Sequence, residues 1–277
     1  VYKRQLHNDI ATALPEKDRS EILRGYDECG YKAVFAIWVT GLSDSDRGKE
    51  GLHKYRSGRA AGIEDLGSVL SQDRECVLRE LSPVYASLTW NGRNGLAGGV
   101  GAELPLTRAG RRAIRIMANA GVALDTAHLS DTSFYDAFDE AVKTGCRILC
   151  SHTASRALSD HPRSITDEQA KLIADAGGVI GVAAVPAFLD AKLSYGENCR
   201  REDYIKHVLH FCEVAGADHV CIGSDLYGAE YYPEGLTDIY DLLSLDGDLA
   251  AAGLTAEETA AVMHINAEKF FRTESYI

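Results

Sequence analysis

The chain has 277 residues, 45% of them hydrophobic and 25% charged, which is ample apolar material for a sizeable core and too much for a disordered segment. Its 29 basic against 41 acidic side chains leave a formal net charge of −12, which disfavours nucleic-acid phosphates and anionic lipid as partners. No apolar run approaches the roughly 20 residues that span a bilayer, and no basic leader with an apolar stretch and cleavage site opens the chain. It begins at Val1 rather than methionine, which leaves room for truncation at the N-terminus. The seven cysteines, at 29, 76, 146, 150, 199, 212 and 221, form no CxxC pair, and several sit in apolar segments as buried thiols do. Together these features predict a soluble protein of a reducing, cytoplasmic setting.

Eight short apolar segments, each followed by a helical stretch, set the architecture: the predicted strands cover about 5–10, 33–39, 59–64, 84–89, 122–127, 147–151, 178–184 and 219–224. Several are continuous apolar or small-residue runs, the mark of parallel strands buried on both faces. Between them, Thr107 caps a helix running to Ala120 and stopped by Gly121, and helical spacing recurs over 131–143 and 202–215. Thr166, followed by Asp167 and Glu168, opens a further helix that ends at Gly177–Gly178, and Thr255 with Glu258 forms a capping box for the last one. No low-complexity linker interrupts the pattern, so residues 1–277 read as one domain. Strand-then-helix repeated in this way predicts an α/β fold, a closed (β/α)8 TIM-like barrel, with a doubly wound open sheet as the competing architecture.

A barrel places its active site where the strands end, and the polar residues at those ends are unusual here. His7 and Asp9 lie two apart at the end of the first strand and share a face, although such a pair is also an ordinary turn. Glu64 ends an apolar run, where an acid is costly to bury unless it is paired or on a metal. The fifth and sixth strands end at His128 and His152, each of which alone would read as a hydrogen-bonded core histidine. Asp225 closes the eighth strand above Gly223 and Cys221, small residues that leave room beneath its carboxylate. It could equally cap the following turn. Three imidazoles and three carboxylates at one barrel mouth are prohibitively expensive without cations. They suit zinc, with manganese or iron as alternatives, and they suit two metals rather than one.

In order along the chain, Leu6-His7-Asn8-Asp9, Gly62-Ile63-Glu64, Leu88-Thr89, Leu124-Asp125 with His128-Leu129-Ser130, Ser151 to Leu158, His161-Pro162-Arg163 and Gly223-Ser224-Asp225 resemble the membrane (renal) dipeptidase family. The match runs from about residue 5 to 271 and is most specific between His152 and Arg163. The resemblance implies a zinc dipeptidase with two zinc ions per chain. His7 and Asp9 would bind one, His128 and His152 the other, and Glu64 would bridge them and serve catalysis. It further implies that a metal-bridged hydroxide attacks the peptide bond of a dipeptide, including one with a C-terminal D-residue. Asp225 would carry the proton to the leaving amine, and Arg163 would hold the substrate carboxylate. A homodimer is implied as well.

Four departures stand out. Trp90, followed by Asn91, replaces a family histidine that contacts substrate; an indole N–H donates one hydrogen bond but neither titrates nor binds metal. Asp65-Leu66 replaces a glycine pair after Glu64, and Asp225-Leu226-Tyr227-Gly228 replaces an Asp-Phe-Asp-Gly. The segment between the first and third strands is short, and Val1 to Gln5 do not resemble the family's opening strand. His53, His207, His210 and His219 fall outside the matched blocks and are expected on solvated or helix-surface positions. Tyr231 to Pro233 either wall the pocket or pack as a loop. Two alternatives remain: a related binuclear hydrolase acting on another amide or ester, and a metal-stabilised binding protein of impaired catalysis.

Overall fold

The computed structural model describes residues 3–13, 16–55, 59–194 and 196–271. Val1 and Tyr2, part of the divergent opening segment, lie outside the described residues. Eight strands follow one another around a closed barrel: β1 (Arg4–Asn8), β2 (Lys32–Trp38), β3 (Ala61–Glu64), β4 (Tyr85–Ser87), β5 (Ala123–Asp125), β6 (Ile148–Thr153), β7 (Val179–Val182) and β8 (Val220–Ile222). Neighbouring strands pair in parallel, as at Phe35↔Ala61, Ala86↔Leu124 and Gly181↔Cys221, so the closed barrel is the observed architecture and the open sheet is not. β1 forms despite its departure from the family, with Gln5 in register with Ile222.

Two compact halves make up the chain, residues 34–150 and the remainder, and β2 and β6 each run through both. In the 34–150 half, the continuous apolar runs predicted for buried parallel strands are buried throughout: every residue of β3, β4 and β5 is buried, with Ile63 and Leu124 fully enclosed. Each such side chain contributes on the order of 2 kcal/mol. Two helices cover these strands. Arg108–Ala120 starts at Thr107, whose hydroxyl accepts from the Gly110 N–H, and stops at Gly121 in a left-handed turn. Asp131–Thr144 starts at Ser130 and presents Phe134, Ala137 and Ala141 inward. The buried Glu140 is satisfied by Arg115 at 2.8 Å.

In the other half, Tyr26 and Tyr31 pack edge to face, and Gln5 donates to the Tyr26 hydroxyl at 3.0 Å. The helix Arg201–Ala215 buries Tyr204, Val208 and Phe211, with the Tyr204 hydroxyl donating to Val182 O at 3.2 Å. The predicted Thr166 and Thr255 caps are both full capping boxes, closed by Gln169 and Glu258. Among the described residues no helix is long and apolar enough to cross a membrane.

Beneath Asp225 the strands approach too closely for side chains. A Cβ on Gly223 would collide with the Ser151 carbonyl and with the Gly181 backbone, neither of which can rotate away. Gly223→Ala is therefore expected to cost about 2–3 kcal/mol, read as a lower urea midpoint at unchanged slope.

Candidate metal centre

Within the 34–150 half, β3 delivers Glu64 as its last residue, and His128 follows three positions after β5. The backbone turns left-handed at His128 (φ 68°) and is fastened there by Val100 N–H, which donates to His128 O at 2.9 Å. That turn aims the ring back over β3, so that Nε2 stands 2.7 Å from Glu64 Oε1. The ring's other nitrogen, Nδ1, is 3.0 Å from Asn91 Oδ1. Bonded to this carbonyl oxygen, Nδ1 carries the proton, which leaves the Nε2 lone pair for a cation. Trp90 packs between Trp38 and His128, at centroid distances of 5.1 and 6.1 Å.

In the other half, β1 ends at Asn8 and Asp9 follows directly, while Asp225 lies three positions beyond β8. The pairing of these strands continues past their ends: Asp9 N–H donates to Leu226 O at 3.0 Å, and Asp225 N–H to His7 O at 3.3 Å. His7 Nε2 then stands 3.6 Å from Asp9 Oδ1 and 3.6 Å from Asp225 Oδ1. His152, within β6, lies against His7 with ring centroids 3.9 Å apart. Ser151 Oγ is 2.8 Å from His152 Nδ1 and 3.5 Å from His7 Nδ1, so one hydroxyl steadies both rings. Any side chain at Gly228 would strike Asp9 Oδ2 and Asp225 Oδ1, which explains a glycine there. Tyr232 stiffens the same loop: its hydroxyl accepts from Tyr227 N–H at 2.6 Å and donates to Ala229 O at 2.8 Å. Burial, with Asp225 and Asp9 nearby, raises its pKa and keeps the phenol protonated.

The six predicted side chains form three donor sets: His7, Asp9 and Glu64; Glu64, His128 and His152; and His7, His152 and Asp225. Within each set the ligand atoms lie within 4.8 Å of one another and every residue is buried. The first two sets share Glu64, the arrangement of a two-metal centre bridged by a carboxylate.

The profile of the Membrane dipeptidase (Peptidase family M19) family matches residues 60–276. The chain belongs to the membrane dipeptidase family. The family match takes in Glu64, Trp90, Asn91, His128, His152, Arg163 and Asp225, whereas His7 and Asp9 precede it. Similar curated proteins include an uncharacterized dipeptidase of Schizosaccharomyces pombe, 28% identical over 82% of this chain and 52% of its own length. Dipeptidase tcpJ of Claviceps purpurea is 26% identical over 92% of this chain and 55% of its own. The chain thus spans about half the length of these relatives. Among solved structures, the dipeptidase AC superposes with a TM-score of 0.84 at 19% identity, over 100% of this chain and 99% of that one. A metallopeptidase from Rhodobacter sphaeroides, liganded with a phosphinate mimic of L-Ala-D-Ala, gives 0.83 at 19% identity, over 98% and 99%.

Arg163 is buried outside the donor sets, its guanidinium 5.1 Å from the centre of the Phe188 ring. The loops after β7 and β8 line an open cavity of about 270 Å3 whose wall includes Val185, Pro186, Leu193, Ala229 and Tyr231. The expected surface role fails for His207, which is buried and braces two mouth loops: Nδ1 accepts from Ser155 N–H at 2.9 Å and Nε2 donates to Leu189 O at 3.0 Å. Sequence reasoning also gave Ser151 and Asn94 no role of their own. For Ser151 the only available signal was its place beside a candidate ligand.

Ser151→Ala frees the His152 ring and is expected to weaken zinc binding about 10–100-fold, measured by competition with a chromophoric chelator. Burial lowers the pKa of His207, so the unfolded chain takes up its proton first. Stability is therefore full above the unfolded value of about 6.5 and declines as pH falls below it. The urea midpoint is expected to drop between about pH 7 and pH 5.5, and to drop less in His207→Gln.

Proposed function

We propose that the protein is a zinc-dependent dipeptidase acting on dipeptides, including those with a D-residue at the C-terminal position. The pair of donor sets sharing Glu64, in a chain of the membrane dipeptidase family, carries this reading. His7 and Asp9 would hold one zinc ion and His128 and His152 the other, with Glu64 between them. The donor chemistry fits zinc, since imidazole nitrogen mixed with carboxylate oxygen is foreign to magnesium and calcium sites, which take oxygen alone. When bound, two such cations lower the pKa of a shared water and polarise the carbonyl of the bond to be cut.

The remaining steps fall to the chain. Asp225, buried with Oδ1 3.6 Å from His7 Nε2, accepts the proton of the attacking water and delivers it to the departing amine. Its left-handed backbone and the bare Gly228 beside it leave the carboxylate room to do so. Arg163, backed by Phe188, offers its planar fork to the substrate's terminal carboxylate. Trp90 walls the site next to His128, and Asn91 orients that ring while facing substrate. The cavity walled by Val185, Pro186 and Leu193 takes an apolar substrate side chain. The Rhodobacter sphaeroides structure, whose ligand imitates a dipeptide ending in D-alanine, supports a D-residue at that end.

The whole of residues 1–277 acts as one catalytic domain in this reading. It works as a homodimer in the cytoplasm, where its seven free cysteines stay reduced, and engages neither nucleic acid nor membrane.

The test is a zinc count and a substrate panel. Loaded protein is expected to hold two zinc ions per chain and to cleave L,L- and L,D-dipeptides in preference to N-acyl amino acids and esters. Asp225→Asn is expected to keep both ions and lose about 10²–10⁴-fold in kcat. Equal turnover in that variant would remove Asp225 from the reaction, and zinc without turnover on any dipeptide would favour a binding protein.

A further inference from the structure

Asp65 follows Glu64, is buried, and adopts a left-handed backbone (φ 66°, ψ 67°) that side-chain-bearing residues rarely take. Glycine would adopt it without strain. What keeps a carboxylate there is its set of partners. Oδ1 accepts from Asn94 Nδ2 at 2.8 Å, and Oδ2 accepts from the hydroxyls of Thr40 and Ser68. The Asp65 N–H donates to Ser87 Oγ at 3.0 Å, which pins the peptide joining it to Glu64. Three donors converging on one buried carboxyl group form a rigid hub.

The hub ties together the loops after β2, β3 and β4, all within the 34–150 half. From Asn94 it continues outward. The same amide nitrogen donates to Leu88 O at 2.8 Å, while Oδ1 accepts from the N–H groups of Leu96 at 2.7 Å and Ala97 at 3.2 Å. The turn shaped around Asn94 carries Asn91, which reaches His128 Nδ1 at 3.0 Å. His128 Nε2 in turn faces Glu64 Oε1 at 2.7 Å. The chain of contacts therefore starts at the neighbour of one metal-donor residue and closes on the other.

We propose that Asp65 is a positioning residue of the metal centre: its carboxylate, gripped by Thr40, Ser68 and Asn94, sets the side chain of Glu64 against the ring of His128. This rests on the two-metal reading given under the proposed function. A carboxylate that served folding alone would change the unfolding midpoint and leave metal affinity where it was.

The experiment separates the two readings. Metal-free full-length protein is titrated with Zn2+ against a chromophoric chelator, and Co2+ spectra and unfolding midpoints are recorded alongside. Wild-type protein binding fewer than two zinc ions would sink the two-metal reading, whatever Asp65 does. Given two, Asp65→Gly, which suits the backbone but removes the carboxylate, is expected to weaken zinc at least about tenfold and to shift the visible Co2+ bands. A smaller loss overturns the proposal even if the unfolding midpoint falls. Should the glycine variant not fold, the Thr40→Val/Ser68→Ala double variant, which leaves residue 65 intact, is held to the same criterion.

Discussion

Burial of like and unlike charges at one place is the constraint from which the rest of the structure follows. His7, Asp9, Glu64, His128, His152 and Asp225 are each at most 8% exposed. An ionised group taken out of water costs several kcal/mol even after relaxation. Imidazoles can offset a carboxylate only by protonating, and three carboxylates with three rings leave too many lone pairs facing one another. Divalent cations resolve the conflict at once, which is why the donor sets identify a metal centre more firmly than any one residue does. Each supporting feature serves that geometry: the glycines under Asp225, the strand pairing that runs on into the Asp9 and Asp225 loops, and the left-handed turn at His128.

The donors are aimed by neutral groups. Ser151 and Asn91 take the ring nitrogens that face away from the carboxylates, and each removes a rotational freedom that a bare imidazole would keep. Farther out, His207 joins the loop at Ser155 to the one at Leu189 through two hydrogen bonds, a neutral brace rather than a titrating switch at ordinary pH. The mouth is thus built from short polar contacts laid over apolar strands.

Much of this was legible in the sequence because it is local. Strand runs such as 59–64 and 147–151, and the caps at Thr107, Thr166 and Thr255, depend on neighbours within a few positions, so periodicity and capping chemistry locate them within one or two residues. The six side chains that fall into the donor sets were also readable as candidates, because an ionisable residue at the end of an apolar strand breaks the local pattern. Long-range contacts left no such trace. Asn91 and His128 are 37 positions apart, and His207 and Ser155 are 52 apart. His207 shares helical spacing with surface residues and is buried only because two loops fold over it. Asp65 showed in the sequence as a departure from a glycine, and its partners Thr40 and Asn94 became visible only in three dimensions.

Among the left-handed positions that carry side chains, Asp65, His128 and Asp225 are donor residues or the immediate neighbour of one, and glycine would rest more easily at each. In the proposed dipeptidase, heat tolerance and turnover therefore pull in opposite directions at these points. A campaign of directed evolution scored only on surviving a temperature challenge would drift toward glycine there and return robust barrels stripped of their chemistry.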